Sequence, residues 1–218
     1  MQLPVSSPHI VRRREDLRSK EIAVVQVLFF FVVPIVLLYF HIIPSSARMF
    51  VLLVFSLLIY GVIRKQGWTQ SDVGITTSNI RTAWPVYAIA TIVAVCVVIV
   101  FSEYINMPKT PLWWTKPHFT FLFILVSFFQ EFAFRGFLMP LLGKIFRDGM
   151  IVIVVNAALF ALMHAIYPLP HIGLPLSFAG GLFFAGLYRK YPNLLLVTIS
   201  HSVLNFLLVW YGFFTIAH

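Results

Sequence analysis

Charge is scarce in this chain, and acid is scarcer still. Of 218 residues, 11% are Asp, Glu, Lys or Arg, and 7 acidic residues face 16 basic ones. Soluble domains carry about 25% charged residues, so that class is excluded. Cysteine occurs once, at Cys96 inside an apolar run. An intramolecular disulfide is therefore excluded, and cysteine usage does not report a redox compartment. No internal repeat, no low-complexity tract and no His-Glu-x-x-His is present. The first apolar run is long, follows a basic arm and lacks a small-x-small exit, so no cleavable signal is expected.

Apolar residues are abundant instead. They make up 60% of the chain, and the mean hydropathy is +0.92. Several apolar runs reach the roughly 18–20 residues that a spanning helix needs. The expected fold is all-α, a polytopic transmembrane bundle of about seven spans in one compact domain. Residues 1–20 read as a cytoplasmic basic arm with Arg12, Arg13, Arg14, Arg18 and Lys20. This arm is either an interfacial helix near 15–20 or a tail held against anionic lipid. Residues 21–218 read as the transmembrane domain.

The runs predict spans at 21–43, 47–63, 82–104, 119–142, 150–167, 173–188 and 194–214. Pro34 predicts a kink in the first, and Ser45 and Ser46 are turn and N-cap candidates before the second. Trp113 and Trp114 fit an aromatic belt at the interface. Gly180, Gly181, Ala185 and Gly186 offer a small-residue face for close helix packing. With the N-terminus in the cytoplasm, Arg64, Lys65, Arg81, Lys144, Arg147, Arg189 and Lys190 fall inside, together with the arm. Only Arg48, Lys109 and Lys116 fall outside. This asymmetry supports the span count and the orientation. It also explains the net charge of +9 without a nucleic-acid partner. The expected location is a plasma (inner) membrane, with the endoplasmic reticulum as the eukaryotic alternative.

Polar residues inside the spans come in pairs four apart. Span four has Glu131 and Arg135, span five has Phe160 and His164 with Asn156 before them, and span seven has His201 and Asn205. Spacing of i,i+4 puts both members on one helix face. Glu131 and Arg135 can neutralise each other, while Gln130 points about 100° away around the helix. Ser127 lies one turn earlier. Each pair alone suits ordinary structure, an ion pair or interhelical hydrogen bonding. Their conjunction in a chain with so few charges marks a site, because ionisable groups at such depth are costly. At about 1.5 Å per residue, Glu131 and His201 are compatible with one shared polar cavity on the cytoplasmic half. His164 falls nearer the outer half, which predicts a span five that begins late or is offset.

Glu131-xxx-Arg135, Phe160-xxx-His164 and His201-xxx-Asn205, in that order with a Gly-rich span between, resemble the CPBP (Abi) family. That family comprises the type II CAAX prenyl endopeptidases and the bacteriocin-processing and self-immunity proteins. The resembling core runs over about 119–214. The phrase Asn193-Leu194 leading to His201-Ser202-Val203-Leu204-Asn205 is also family-like. The resemblance implies an intramembrane endopeptidase with no cofactor and no metal. Its partners would be membrane lipid and a membrane-associated protein or peptide substrate. It implies that the first Glu of a Glu-Glu-xxx-Arg motif and the motif-two His activate water. The motif-three His and Asn would stabilise the oxyanion. Transferred here, His164 assists the water, His201 and Asn205 form the oxyanion hole, and Glu131 and Arg135 support the scaffold. The base position is Gln130, where Glu is expected.

A Gln amide has no basic site in the useful pH range. Three explanations stay open: a Glu→Gln substitution that traps an inactive protein, a natural non-proteolytic scaffold or immunity protein, or an active variant in which Glu131 turns inward as base. A zinc site of His164, His201 and Glu131 and a small transporter are remoter readings. The first lacks a His-Glu-x-x-His, and the second lacks matching discontinuous halves.

Overall fold

A computed structural model describes residues 8–110, 117–167 and 169–213. Among these residues the chain is helical, without strands. A segment surrounded by lipid must satisfy its backbone internally, and helices do so within one segment. We number seven helices. Helix α1 begins at Pro8–Val27 and continues through a π-helical turn, Leu28–Val32, into Val33–Tyr39. Helix α2 is Arg48–Lys65, and α3 is Ile80–Tyr104. Helix α4 runs Pro117–Glu131, then a π-helical stretch Phe132–Leu138, then Met139–Ile145. Helix α5 is Gly149–Leu162 with a closing 3-10 turn Met163–Ile166. Helices α6 and α7 are Pro170–Lys190 and Leu194–Trp210.

Five segments are long and apolar enough to cross a membrane: Leu17–Tyr39, Ile80–Tyr104, Phe123–Ile145, Gly149–Ile166 and Pro170–Lys190. The second and seventh expected spans form the 18-residue α2, which has charges at both ends, and the 17-residue α7. The all-α membrane bundle expected from the sequence is thus the observed fold.

The helices run alternately between two ends. At one end, Asn193 donates to the Thr76 carbonyl, Asn79 donates to the Pro192 carbonyl, and the Leu194 N–H donates to the Gly74 carbonyl. At the other end, the Thr110 N–H donates to the Trp210 carbonyl, Tyr211 donates to Glu103, and Arg48 lies over the Tyr167 ring. Arg64, Lys65, Arg81, Lys144, Arg147, Arg189 and Lys190 all belong to the first end, the basic end.

Several local expectations are corrected. Helix α1 runs unbroken through residue 20, and its apolar span begins at Leu17. The N-cap of α2 is Ala47 and makes no side-chain cap bond; Ser45–Ala47 form a 3-10 turn. The belt residues Trp113 and Trp114 lie outside the described residues, as does Lys116.

Two prolines explain the two π-helical stretches. A proline inside a helix lacks an N–H and clashes with the carbonyl four residues earlier. For Pro34 that carbonyl belongs to Phe30, and for Pro140 to Gly136. Both lie within the widened stretches. A wider i→i+5 turn absorbs the clash without breaking the helix. At Pro34, where the sequence suggests a kink, the helix carries this π-helical turn.

Helix α4 is the central element. The apolar window that defines its span is 67% buried, against 22–39% for the other spans. Its neighbours are α1, α2, α5 and α7. Helices α5 and α6 pack closely at one glycine: a Cβ on Gly181 would lie 2.8 Å from Ala157 Cα. Gly180 and Gly186 meet no such obstacle, while Ala185 of the same expected face is fully buried.

Candidate functional site

Glu131, Arg135 and His201 form a buried triad. Arg135 Nη1 donates to Glu131 Oε1 at 3.2 Å, and Arg135 Nε approaches Oε2 at 3.1 Å. The second approach is an ion contact, angled away from a hydrogen bond. His201 Nδ1 meets Glu131 Oε1 at 2.5 Å. Arg135 Nη2 donates to the Gly181 carbonyl at 3.2 Å. Glu131 and Arg135 are wholly buried and His201 nearly so. A charge at such depth survives only when paired and hydrogen-bonded, and each charge here has its partner.

Aromatic rings close the triad off. The Arg135 guanidinium lies 4.7 Å from the Phe160 ring centre and 5.4 Å from that of Phe184. The His201 ring stacks on Phe184 with centres 4.8 Å apart. Phe160 touches Arg135, His201 and His164 at once. It thereby links the second motif to the first and third. Asn156 donates to the Phe134 carbonyl at 2.8 Å, tying α5 to the π-helical stretch of α4.

Gln130 and His164 sit apart from the triad. His164 Nδ1 lies 2.8 Å from the Phe160 carbonyl, which can only accept. Nδ1 therefore carries the hydrogen, and in the neutral ring Nε2 carries the lone pair. Gln130 and His164 line one cavity of about 80 Å³, enclosed by α1, α2 and the end of α5. Gln130 Oε1 is buried and meets no protein donor among the described residues. A second cavity of about 430 Å³ lies on the other side of His164, with His201, Asn205 and Ser177 in its wall. Asn205 Nδ2 donates to Ser127 Oγ at 3.3 Å, and Ser127 in turn donates to the Phe123 carbonyl.

The expectation of one shared cavity on the cytoplasmic half is corrected: the site residues line two separate cavities, with His164 in the wall of both. They begin at mid-depth, since His201 is the eighth residue of the 17 in α7. The first extends toward the end that carries Arg48 and Tyr167. Helix α5 does not begin late. It starts at Gly149, and His164 lies in its last 3-10 turn, one turn beyond the level of Phe160. Among the described residues no three His, Cys, Asp or Glu side chains converge as a metal site. His201 is engaged with Glu131 and lines the second cavity, while His164 lines both.

Ser56 and Ser177, both buried in cavity walls, and the link from Gly181 to Arg135 are not among the residues that the motifs mark. A hydroxyl in the middle of an apolar span was the available signal. It is weak, because such serines commonly bond their own helix backbone.

Residues 112–207 match the family model of type II CAAX prenyl endopeptidase Rce1-like proteins. The resemblance carried by the three motifs is thereby shown over the stretch that holds them, in a multi-pass membrane protein. The chain matches no curated protein and no solved structure.

Proposed function

We propose that this Rce1-like membrane protein has the site of an intramembrane endopeptidase, with position 130 as the general-base position and its amide holding hydrolysis down. The observation that carries the reading is the division of labour on α4. Gln130 faces a cavity with His164, whereas Glu131 is committed to Arg135 and His201. Glu131 would have to leave both partners to act as base, which argues against the variant in which it turns inward.

In the Gln130→Glu variant the reaction balances as follows. Water beside His164 gives a proton to the carboxylate at position 130, and its oxygen bonds to the peptide carbonyl carbon. The carbonyl electron pair moves onto oxygen, where Asn205 Nδ2 and His201 donate to it. His201 Nε2 can donate whenever the Glu131–His201 pair holds two protons. Collapse of the tetrahedral centre breaks the C–N bond, and the proton passes from position 130 to the leaving amine. The Gln130 amide takes no proton in this range.

The substrate class is a peptide bond in a membrane-associated protein or peptide, reached within the bilayer. The basic end faces the cytoplasm, which puts the N-terminus there, in a plasma membrane or an endoplasmic-reticulum membrane. A second reading rests on Gln130 itself: a non-catalytic scaffold or self-immunity protein that binds its partner without cutting it.

A cleavage assay on this chain and on Gln130→Glu, against a membrane-tethered peptide library, separates the readings, with His164→Ala as control. A positioned base contributes about 10²–10⁴-fold, so Gln130→Glu should exceed this chain by that factor. Equal cleavage by both would overturn the assignment of position 130. No cleavage by either, with retained partner binding, would favour the scaffold.

A further inference from the structure

Three serines in these helices bond their own backbone, and Ser56 does not. Ser102, Ser127 and Ser202 each donate to the carbonyl four residues earlier. Ser56, in the middle of α2, is 2% exposed, and its Oγ meets no partner among the described residues. It lies in the wall of the 80 Å³ cavity that also holds Gln130 and His164. Apart from Arg48 and Tyr167, the rest of that wall is apolar, with Phe30, Phe31, Leu38, Val51 and Phe55.

Two buried oxygens, Ser56 Oγ and Gln130 Oε1, thus line one small cavity with their hydrogen bonding unmet by protein. Leaving such groups dry costs about 1–3 kcal/mol each. A water needs room of at least about 10–15 Å³ and two to four polar partners. The cavity meets both conditions, with a hydroxyl able to donate and an amide oxygen able only to accept.

We propose that Ser56 and Gln130 hold a water molecule between them beside His164, with the water donating to Gln130 Oε1 and accepting from Ser56 Oγ. Ser56 lies outside the family-matched segment, on a helix that carries none of the three motifs. Resting on the hydrolytic reading above, it orients the attacking water for the base at position 130. The water keeps one hydrogen, which the lone pair of His164 Nε2 can accept, and one lone pair for the substrate side.

Two measurements test this. A structure of this chain at a resolution that shows ordered water should contain one within hydrogen-bond distance of both Ser56 Oγ and Gln130 Oε1. A dry cavity there overturns the proposal, whatever the enzyme does. In the Gln130→Glu background, Ser56→Ala should lower kcat about tenfold, the effect of one hydrogen bond, with KM and thermal stability little changed. Ser56→Thr, which keeps the hydroxyl, should recover most of the rate. An unchanged kcat, or a loss that follows thermal stability and is not recovered by Thr, overturns the role of Ser56. If Gln130→Glu cleaves nothing, the hydrolytic reading fails by itself, and the water site stands or falls on the ordered-water structure.

Discussion

His201 Nδ1 and Glu131 Oε1 meet at 2.5 Å across 70 residues of chain. This contact closes α7 onto α4 and leaves Glu131 with a cation on one side and an imidazole on the other. It makes the second residue of the Gln130-Glu131 pair structural and leaves the first to the cavity.

Removing one member of such a triad should cost far more than it would at a surface. Breaking a buried pair leaves an uncompensated charge and costs about 3–5 kcal/mol. Glu131→Ala should therefore unfold at markedly lower detergent denaturant or temperature, with Arg135 stranded. A change within the scatter of surface mutants would mean that water reaches the triad.

Gly181 should be the intolerant glycine of α6. A methyl group there meets Ala157 backbone at 2.8 Å, and overpacking of this kind costs about 1–3 kcal/mol. It would also shift the carbonyl that Arg135 Nη2 contacts. Gly186→Ala meets nothing within 4 Å and should be neutral or stabilising by up to about 1 kcal/mol. Thermal unfolding of the two variants side by side should show this order.

Asn193 does two jobs at the basic end. Its Oδ1 accepts from the Leu196 N–H at 3.0 Å, capping α7, while Nδ2 donates to the Thr76 carbonyl and Asn79 Oδ1. A lost cap costs about 0.5–2 kcal/mol, and the stranded carbonyl adds to that. Asn193→Asp keeps the cap acceptor but loses the donors, so it should fall between wild type and Asn193→Ala. Equal stability of Asp and Ala variants would show that the cap contributes nothing.

Asp72 should mark the acid side of the loop between α2 and α3. The Thr69 N–H and hydroxyl both donate to its carboxylate, at 2.7 Å each, and hold its pKa below the ordinary value. A lowered folded value means that this contribution is complete above the unfolded pKa of about 3.9. It is lost as pH falls through the folded value. A carboxyl titration by NMR should place the Asp72 midpoint below that of an unfolded peptide, and Thr69→Ala should move it back up. Thr69→Ala keeps the N–H bond, the larger cause, so the return should be partial; a midpoint that does not move would show that the hydroxyl bond contributes nothing.

The existence of the bundle is written locally. Apolar length, low charge and the pile-up of basic residues at alternate breaks are each properties of short stretches, which is why the spans were legible. The i,i+4 pairing of Glu131 with Arg135 is equally local, because helix geometry alone puts them on one face. The motif order, from Glu131 to Asn205, marked the family-like half of the chain.

Depth and partnership were not local. The position of His164 depends on a 3-10 turn that ends α5, and on Phe160 one turn below it, packed against both Arg135 and His201. The split into two cavities depends on α1 and α2, which carry no motif, and Ser56 acquires its place only because α2 packs against α4. The close approach of α5 and α6 rests on Gly181 among several similar glycines, and only the neighbour at Ala157 selects it. The sequence by itself determined a helical membrane bundle and which polar residues lie inside it, because burial of backbone and apolar side chains in lipid is a property of each segment. Tertiary structure alone decided which polar residue meets which, since a helix face specifies a direction and packing supplies what lies there.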